Sequence, residues 1–405
     1  MTIRTAMNSR LEFSPSMDVP SFLTEGFQKR LVSLTEMFQP ARADLLQKRM
    51  DRFRVARLNN GYSWEVKPES ERVRAALWTI TERADEHLKT PEEFVDFEDG
   101  LSPLWQNRAQ ASVNLDRSIS WFRPRGIHMD EKSMLLDGRP MPAAWVDLII
   151  WLESRREIKG NFGIRIPKLE TALEARFWSD VLFYLEDLYQ IPRASIRVAL
   201  EIETVFGAIE CEEMIFELKD RVTWVTFDPF DYAFHWIKIL GHQTSGLLPP
   251  LESERLAQWL GPVLTFIQNR AEKRGVHFLS SDHALRANEA PFVSAPDFTP
   301  PTQLDIESRL QRCIGFLAQW LGGEVTYPLA QFELERCQLW QWVRFQVALD
   351  SGERLSVSSY LKLRHSVTDR ELESTARLFD SFILNSNITE YSAPAALNYM
   401  ESSLR

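Results

Sequence analysis

Two glutamates on a strand-like stretch are the first residues whose spacing points to chemistry. Glu201 and Glu203 in "VALEIETVFG" are separated by one apolar residue, so both side chains face the same side of an extended strand. An ionised carboxylate inside an apolar sheet is costly unless it is paired with a cation or bound to a metal. An internal ion pair with Arg or Lys of the next strand and a metal site are therefore both open at this point.

Two aspartates follow the next strand-like stretch, in "RVTWVTFDPFDYAF". Asp228 and Asp231 lie at a predicted strand-to-helix turn, where capping the helix is the ordinary role of an aspartate. Glu203 and Asp231, however, come from the ends of neighbouring predicted strands, and a few hard oxygen ligands with open positions commonly hold Mg²⁺. This pair predicts a site for Mg²⁺ or Mn²⁺, and Phe230 is a further candidate for contact with a substrate.

Two arginines in "SWFRPRGIHMDEK" supply candidate cations. Arg123 and Arg125 alternate as strand residues do, and Gly126 follows for a tight turn. An arginine there can bind a carboxylate or stabilise a developing oxyanion, and a surface or salt-bridged arginine is the alternative. We expect the side chain of Arg125 to point toward the metal site, with Arg123 as a candidate for substrate binding.

Charged residues end other predicted strands as well. "RIPKLETALEAR" places Lys168 at one strand end, and "FVDFEDGLSP" places Asp96, Glu98 and Asp99 at another. Lys168, Asp96 and Glu98 are therefore candidate substrate-binding residues. The repeated occurrence of charge at strand ends favours a combined metal and anion site at one edge of the sheet.

The elements that must hold these residues alternate between short strands and amphipathic helices, which is typical of a parallel sheet with helices outside it. The number of such units predicts an α/β protein with a (β/α)₈ TIM-type barrel, whose active groups lie at the carboxyl ends of the strands. The predicted strands are residues 93–97, 118–124, 161–167, 195–203, 221–227 and 275–281, with 290–296 as a short last strand.

Helical stretches flank this barrel. Residues 20–58 are predicted to be helical, with Pro40 opening a second segment, and residues 70–88 form a further helix. From residue 304 onward the pattern is helical apart from a turn near 350–354. The predicted parts are an N-terminal helical segment, a barrel with the metal site and a C-terminal helical domain, at residues 1–90, 91–303 and 304–405.

Composition narrows the class of protein. The net charge of −10 over 405 residues argues against a general nucleic-acid binder. No apolar run approaches the ~18 residues needed to span a bilayer, and the N-terminus lacks the apolar segment of a secretory signal. Three widely separated cysteines suggest a reducing compartment without a zinc or disulfide framework. We expect a cytoplasmic protein with neither nucleic acid nor membrane as a partner.

Several of these stretches together resemble the shorter, A-type malate synthases. "FVDFEDGLSPLW" is similar to that family's acidic strand-end motif, "RPRGIHMDEK" to its Arg-Gly-x-His segment, and "IPKLETALEARFWSDVL", "IPRASIRVALEIET" and "CQLWQW" to further family segments. The resemblance implies that Glu203 and Asp231 are Mg²⁺ ligands and that Arg125 stabilises the enolate or alkoxide. It also implies the family's reaction: the metal holds glyoxylate, an aspartate of the C-terminal helical domain deprotonates acetyl-CoA, and malyl-CoA is hydrolysed to malate.

The chain departs from this family where the catalytic aspartate belongs. The resemblance places a loop with a Glu-Asp-Ala-Ala-Thr segment before the "LWQW" helix, but "TYPLAQFELERCQLWQW" (326–342) runs from a proline turn straight into the helix. Glu333 and Glu335 are candidate substitute bases, with an ordinary solvated or capping role as the alternative. The glycine-rich turn that would bind the glyoxylate carboxylate is also replaced, by "WVTFDPFD", in which Pro229 has no N–H to donate.

Three functions remain open. The first is a divergent, Mg²⁺-dependent transferase or lyase that acts on a small 2-oxo acid such as glyoxylate by Claisen or aldol chemistry, with or without an acyl thioester of CoA or of an acyl carrier protein. The second is a true malate synthase with a substitute base. The third is a non-catalytic protein that keeps the fold to bind a metabolite or partner. Retention of Glu203 and Asp231 favours an enzyme, and loss of the aspartate favours the first function over the second.

Overall fold

The computed structural model describes residues 4–5, 10–14, 21–58, 68–80, 90–101, 104–116, 118–155, 162–280, 295–323 and 328–396. The strands are β1 Arg4–Thr5, β2 Leu11–Phe13, β3 Phe94–Asp96, β4 Trp121–Arg123, β5 Asp130–Leu136, β6 Arg139–Pro142, β7 Phe162–Ile166, β8 Ile196–Ile202, β9 Val222–Phe227 and β10 His277–Ser280. The α-helices are α1 Glu25–Leu58, α2 Pro68–Ala75, α3 Trp105–Val113, α4 Ala143–Arg155, α5 Ala172–Tyr189, α6 Val205–Ile209, α7 Cys211–Glu217, α8 Pro229–Leu240, α9 Glu254–Lys273, α10 Gln303–Gly322, α11 Leu329–Arg344, α12 Val357–Val367 and α13 Glu373–Ile383.

Six strands form one parallel sheet in the order β10-β9-β8-β7-β4-β3. Each lies within one of the strands predicted from the sequence, and helices intervene along the chain, which confirms the α/β class. The described residues thus supply six parallel strands of a TIM-type barrel. The expected last strand at 290–296 falls mostly outside the described residues.

The sheet leaves room on one face for two large indoles. Trp121 of β4 and Ala199 of β8 form a small buried cluster, against which Phe94 and Trp224 pack. Gly163 of β7 is in register with Trp121, and a Cβ at position 163 would overlap the indole ring. A glycine in a strand often marks such a close approach, and here it accommodates the Trp121 side chain.

A four-stranded antiparallel sheet, β1-β2-β5-β6, was not expected from the apolar pattern. β5 and β6 pair through a turn at Asp137 and Gly138, whose φ angles are 50° and 74°. An Asp-Gly pair with both residues at positive φ is typical of a two-residue hairpin turn. The signal for this hairpin is therefore the pair "DG" in "LLDGRP", since the adjoining strands do not alternate clearly between apolar and polar residues.

α1 is one continuous helix of 34 residues, so the expected break at Pro40 is wrong. Phe27, Leu31 and Leu34 are buried on its inner face, and the helix packs against α4 and α5 of the barrel. This packing maintains the helix although Pro40 cannot donate the hydrogen bond of its turn. α2 ends at Ala75, and most of the second half of the predicted helix 70–88 lies outside the described residues.

The C-terminal part is helical, as predicted, and contains the expected turn around Gly352 (φ 87°). α11 packs on α8, the helix that follows β9. The side chains of Gln338 and Gln341 donate to the carbonyl oxygens of Pro249 and Gly246 at 2.6 and 2.9 Å. α11 is thereby attached to the barrel. Within the described part of the chain, no helix is both long and apolar enough to cross a membrane.

Candidate metal and substrate site

Charged residues that follow or end five neighbouring strands meet at one edge of the parallel sheet. Because these strands are parallel, their carboxyl ends share that edge. The contributing residues are Asp96, Glu98 and Asp99 from β3, Arg123 from β4, Lys168 after β7, Glu201 and Glu203 from β8, and Asp228 and Asp231 after β9. We call this group the strand-end cluster.

Lys168 lies at the centre of the strand-end cluster. Its ammonium nitrogen is 2.8 Å from Asp231 Oδ2, 3.1 Å from Glu98 Oε1, and 3.5 Å from oxygens of Asp99 and Glu203. Lys168 has a left-handed backbone (φ 55°), and its N–H donates to Glu203 Oε2 at 2.5 Å. The turn after β7 therefore holds Glu203 with both its main chain and its side chain.

Arg123 is the second cation of the cluster. Its guanidinium donates to Asp96 at 2.6 and 2.9 Å, and it lies 3.2 Å from Asp99 and 3.7 Å from Glu203. Asp96 also accepts the backbone N–H of Glu98 at 2.9 Å, which shapes the turn after β3. β3 and β4 are thus joined by the charge-assisted pair of Asp96 and Arg123, which borders Glu203.

Glu201 and Asp228 are engaged in an ion pair and a helix cap. Glu201 forms an ion pair with Arg165 of the adjacent strand β7, which is the internal pairing that the sequence left open. Asp228 caps α8, because its Oδ1 accepts the N–H groups of Phe230 and Asp231 at 2.8 and 3.0 Å. Phe230 is half-buried in the first turn of that helix. Of the two aspartates, Asp231 is therefore the one that binds Lys168.

The strand-end cluster carries more negative than positive charge. Its two cations, Arg123 and Lys168, and the neighbouring Arg165 of β7 pair with six of its carboxylates: Asp96, Glu98, Asp99, Glu201, Glu203 and Asp231. Burial in this environment raises the pKa of Glu203 well above its ordinary value and that of Asp231 to about 7. A divalent cation would supply the positive charge that the side chains lack.

Three of the carboxylates are placed to share such an ion. One oxygen each from Glu98, Asp99 and Glu203 lies within 4.8 Å of the others. Glu203 Oε1 is buried and accepts no hydrogen bond from the described residues, which leaves a lone pair that a cation would satisfy. A donor set made only of carboxylate oxygens suits Mg²⁺ or Mn²⁺. The expected pair is divided in this arrangement: Glu203 belongs to the three-oxygen group, whereas Asp231 is bound by Lys168.

Arg125 does not face the strand-end cluster, so the expected direction of its side chain is wrong. Its guanidinium donates to both oxygens of Asp147 on α4 at 2.9 and 2.7 Å, and to Glu131 on β5 at 2.9 Å. β4 ends at Arg123 and Pro124 follows, so the alternation of the strand does not extend to Arg125. Arg123 is instead the arginine that lies beside Glu203.

A cavity of about 20 Å³, room for about one water molecule, lies between the cluster and the C-terminal helices. Its lining includes Glu98, Asp99, Lys168 and Asp231 of the cluster, together with His128, Trp320 of α10, Glu333 of α11 and Tyr391. The C-terminal helices therefore form one wall of the candidate site.

Glu333 and Glu335 are both buried in ion pairs, so a solvated or capping role is wrong for each. Glu333 lines the cavity, but one of its oxygens pairs with Arg336 and the other accepts the N–H and hydroxyl of Ser392, both at 2.7 Å. Glu335 lies 2.8 Å from Arg312 of α10. Of the two candidate bases, Glu333 is the one near the cluster, and both of its oxygens are already engaged.

His128 and Tyr391 line the cavity without having been selected from the sequence. Their rings stack with centroids 4.3 Å apart, and the Tyr391 hydroxyl bonds to the Lys238 ammonium at 2.9 Å. The buried Nδ1 of His128 has no hydrogen-bond partner among the described residues. The sequence signal for His128 is Gly126, two positions before it. A Cβ at position 126 would come within 2.7 Å of the imidazole, so the glycine leaves room for the ring. Tyr391 has no local signal, because its contacts come from distant parts of the chain.

The sequence of this barrel is similar to that of known proteins. Residues 120–281 match the family model "Malate synthase, TIM barrel domain". A malate synthase of Myxococcus xanthus is 24% identical over 363 residues, which cover 65% of this chain and 67% of that protein. A glyoxysomal malate synthase of Candida tropicalis is 22% identical over 493 residues, covering 91% and 88%.

Among solved structures, the Haloferax volcanii malate synthase pyruvate/acetyl-CoA ternary complex is similar to this chain. The sequence identity is 12%, the match covers 70% of this chain and 88% of that chain, and the TM-score is 0.39. The family match itself spans β4 and β7 to β10, and it includes Arg123, Lys168, Glu203 and Asp231. The barrel of this protein is therefore a malate synthase TIM barrel domain, and malate synthases align at 22–24% identity with 65–91% of the chain.

Proposed function

We propose that this protein is a divalent-metal-dependent enzyme that forms or cleaves a carbon–carbon bond of a small 2-oxo acid such as glyoxylate, and that efficient malate synthesis is not its reaction. The supporting observation is the three-oxygen group of Glu98, Asp99 and Glu203, which is short of positive charge and borders Arg123. The similarity to malate synthases suggests an acyl-CoA as the second substrate, with an acyl carrier protein thioester as the alternative donor.

Glu98, Asp99 and Glu203 would hold Mg²⁺ or Mn²⁺, and Asp231 is a further candidate ligand. The ion would polarise the carbonyl group of a bound 2-oxo acid. Arg123 presents N–H donors beside this position, where they would stabilise negative charge that develops on a substrate oxygen. Lys168 neutralises part of the acidic cluster and supplies a point charge for the substrate carboxylate.

The proposed departure from malate synthesis rests on the catalytic base. The sequence lacks the aspartate segment, and the oxygens of Glu333 are occupied by Arg336 and Ser392. General-base catalysis contributes about 10²–10⁴-fold to a rate. Malate formation from acetyl-CoA and glyoxylate should therefore be far below the ~1–10³ s⁻¹ typical of enzymes, as measured by release of the CoA thiol.

True malate synthesis with a substitute base is the second candidate, because Glu333 lines the cavity at the cluster. A pair of variants separates it from the first. If Glu333 is the base, Glu333→Gln abolishes thiol release while Glu335→Gln, a change on the same helix but toward α10, leaves it in place. Turnover in the ordinary range that depends on Glu333 would replace the first candidate by the second.

Calorimetric titration with Mn²⁺ tests the metal site. Glu203→Gln preserves the shape of the side chain and removes its charge, so affinity should fall by at least the ~10–100-fold that loss of a supporting group costs. Glu212→Gln is the matched control, since Glu212 is equally buried but lies outside the cluster and is paired with Arg274. Equal Mn²⁺ affinity of the wild type and Glu203→Gln would contradict the proposal and favour a non-catalytic binding protein.

A further inference from the structure

A second cavity, of about 520 Å³, opens at the opposite end of the parallel sheet. Arg197 is the second residue of β8 and Val222 the first residue of β9, so the cavity lies at the amino ends of these strands. Arg197 and Glu203 are six positions apart on one extended chain, which separates the cavity from the strand-end cluster by ~20 Å. Its volume is within the ~300–1,000 Å³ range of small-molecule sites.

Aromatic side chains form the apolar part of this cavity. Trp78, Phe183 and Phe216 line it, and the rings of Trp78 and Phe216 meet edge to face with centroids 5.3 Å apart. The Trp78 indole N–H donates to the Val73 carbonyl at 2.9 Å, which fixes the ring in place. The guanidinium groups of Arg274 and Arg221 lie over the Trp78 and Phe183 rings, 4.2 and 4.1 Å from their centroids. The walls are thus set by contacts within the protein, and a planar group would pack against the part of each ring that lines the cavity.

Arginine donors without partners supply the polar part. Arg197 lines the cavity, and within the described part of the chain its buried Nε has no hydrogen-bond partner and its guanidinium makes no ion pair. Arg221 is paired with Glu186 through its terminal nitrogens, but its buried Nε also has no partner among the described residues. Leaving buried N–H donors unpaired costs free energy, so a ligand that accepts from them would be favoured.

The charges around the cavity select an anion. Lys219 lies over the Phe216 ring at 4.4 Å, and Asp220 is the acidic residue in the described lining. Lys219 and Asp220 carry opposite charges, and Arg221 is paired with Glu186, so among the described lining residues the charge of Arg197 is left without a counter-charge. A guanidinium binds phosphate and carboxylate groups through paired N–H donors.

We propose that this cavity is a second ligand site, which binds a planar aromatic anion of nucleotide size. The phosphate or carboxylate group accepts hydrogen bonds from Arg197, and the ring packs against Trp78 and Phe183. The site is independent of the carbon–carbon chemistry proposed above, because none of its residues belongs to the strand-end cluster.

Isothermal titration of the full chain with adenosine monophosphate, and separately with an aromatic carboxylate of similar size, tests this site. We expect saturable binding of at least one of the two, with adenosine and inorganic phosphate alone binding more weakly. Arg197→Gln should weaken the affinity about 10–100-fold, as expected for loss of a charged hydrogen-bond donor. Arg197 is only partly buried, so this variant should fold, which circular dichroism would verify.

Arg377→Gln is the matched control, because Arg377 of α13 is 72% exposed, pairs with Glu373 and does not line the cavity. Its affinity for either ligand should equal that of the wild type. The proposal is overturned if neither ligand binds at millimolar concentration, if Arg197→Gln binds as tightly as the wild type, or if both arginine variants lose affinity equally.

Discussion

Replacement of Arg125 by leucine distinguishes a structural arginine from a catalytic one. Arg125 is 3% exposed, and its partners Asp147 and Glu131 have side chains that are 1% and 4% exposed. The attraction of these two carboxylates outweighs burial and raises the pKa of Arg125 above its ordinary value. Leucine would remove the cation and leave both carboxylates buried beside an apolar side chain.

The size of the effect follows from this burial. Removing one partner of a buried ion pair typically lowers the free energy of unfolding by about 3–5 kcal/mol, because the remaining charge is uncompensated. Arg125 serves two acids, so we expect a loss toward the upper end of that range. Such a loss is a large fraction of the ~5–15 kcal/mol by which proteins are stable. The variant should therefore unfold at much lower denaturant concentration.

Guanidinium unfolding followed by circular dichroism measures this change. Arg193→Leu is the control, because the Arg193–Asp187 pair is 65% and 55% exposed and should contribute at most ~1 kcal/mol. Adding Asp147→Leu to Arg125→Leu should recover part of the loss by removing one orphaned carboxylate. The reasoning fails if Arg125→Leu unfolds at the same midpoint as Arg193→Leu; if that variant also lost activity, a direct catalytic role for Arg125 would be restored.

Three further predictions follow from buried contacts. Arg123→Gln should lower any measured turnover by ~10²–10³; unchanged turnover would remove Arg123 from the reaction. Gly163→Ala should destabilise the fold by ~1–3 kcal/mol in chemical unfolding, because its Cβ overlaps the Trp121 ring; wild-type stability would show that the indole can shift. Burial lowers the pKa of His235 to about 4 from 6.5. Between pH 6.5 and 4 the imidazole is protonated in the unfolded chain but stays neutral in the folded protein. His235 therefore contributes up to ~3 kcal/mol to the free energy of unfolding above pH 6.5, and this contribution is lost as the pH falls toward 4. His235→Gln should show a correspondingly smaller loss of stability over that pH range, and an identical pH dependence would contradict the assignment.

The alternation of strands and helices could be predicted from the sequence because it depends on local patterns. Short apolar runs between amphipathic stretches indicate a parallel sheet, and the carboxyl ends of parallel strands must lie at one edge. The meeting of Lys168, Glu203 and Asp231 follows from that topology alone. The hairpin at Asp137 also has a local signal, in its Asp-Gly turn.

The tertiary structure decided which of these charges are partners. Arg123 and Arg125 are two positions apart and look alike in the sequence, but the first meets Asp96 and the second meets Asp147 of α4. Likewise, the positions of Glu333 and Glu335 in a helical pattern do not reveal that Ser392 donates to the first and that Arg312 of α10 pairs with the second. Ion pairing depends on distances of a few ångströms between residues that are far apart in the chain or on opposite faces of a helix, and local periodicity does not determine those distances.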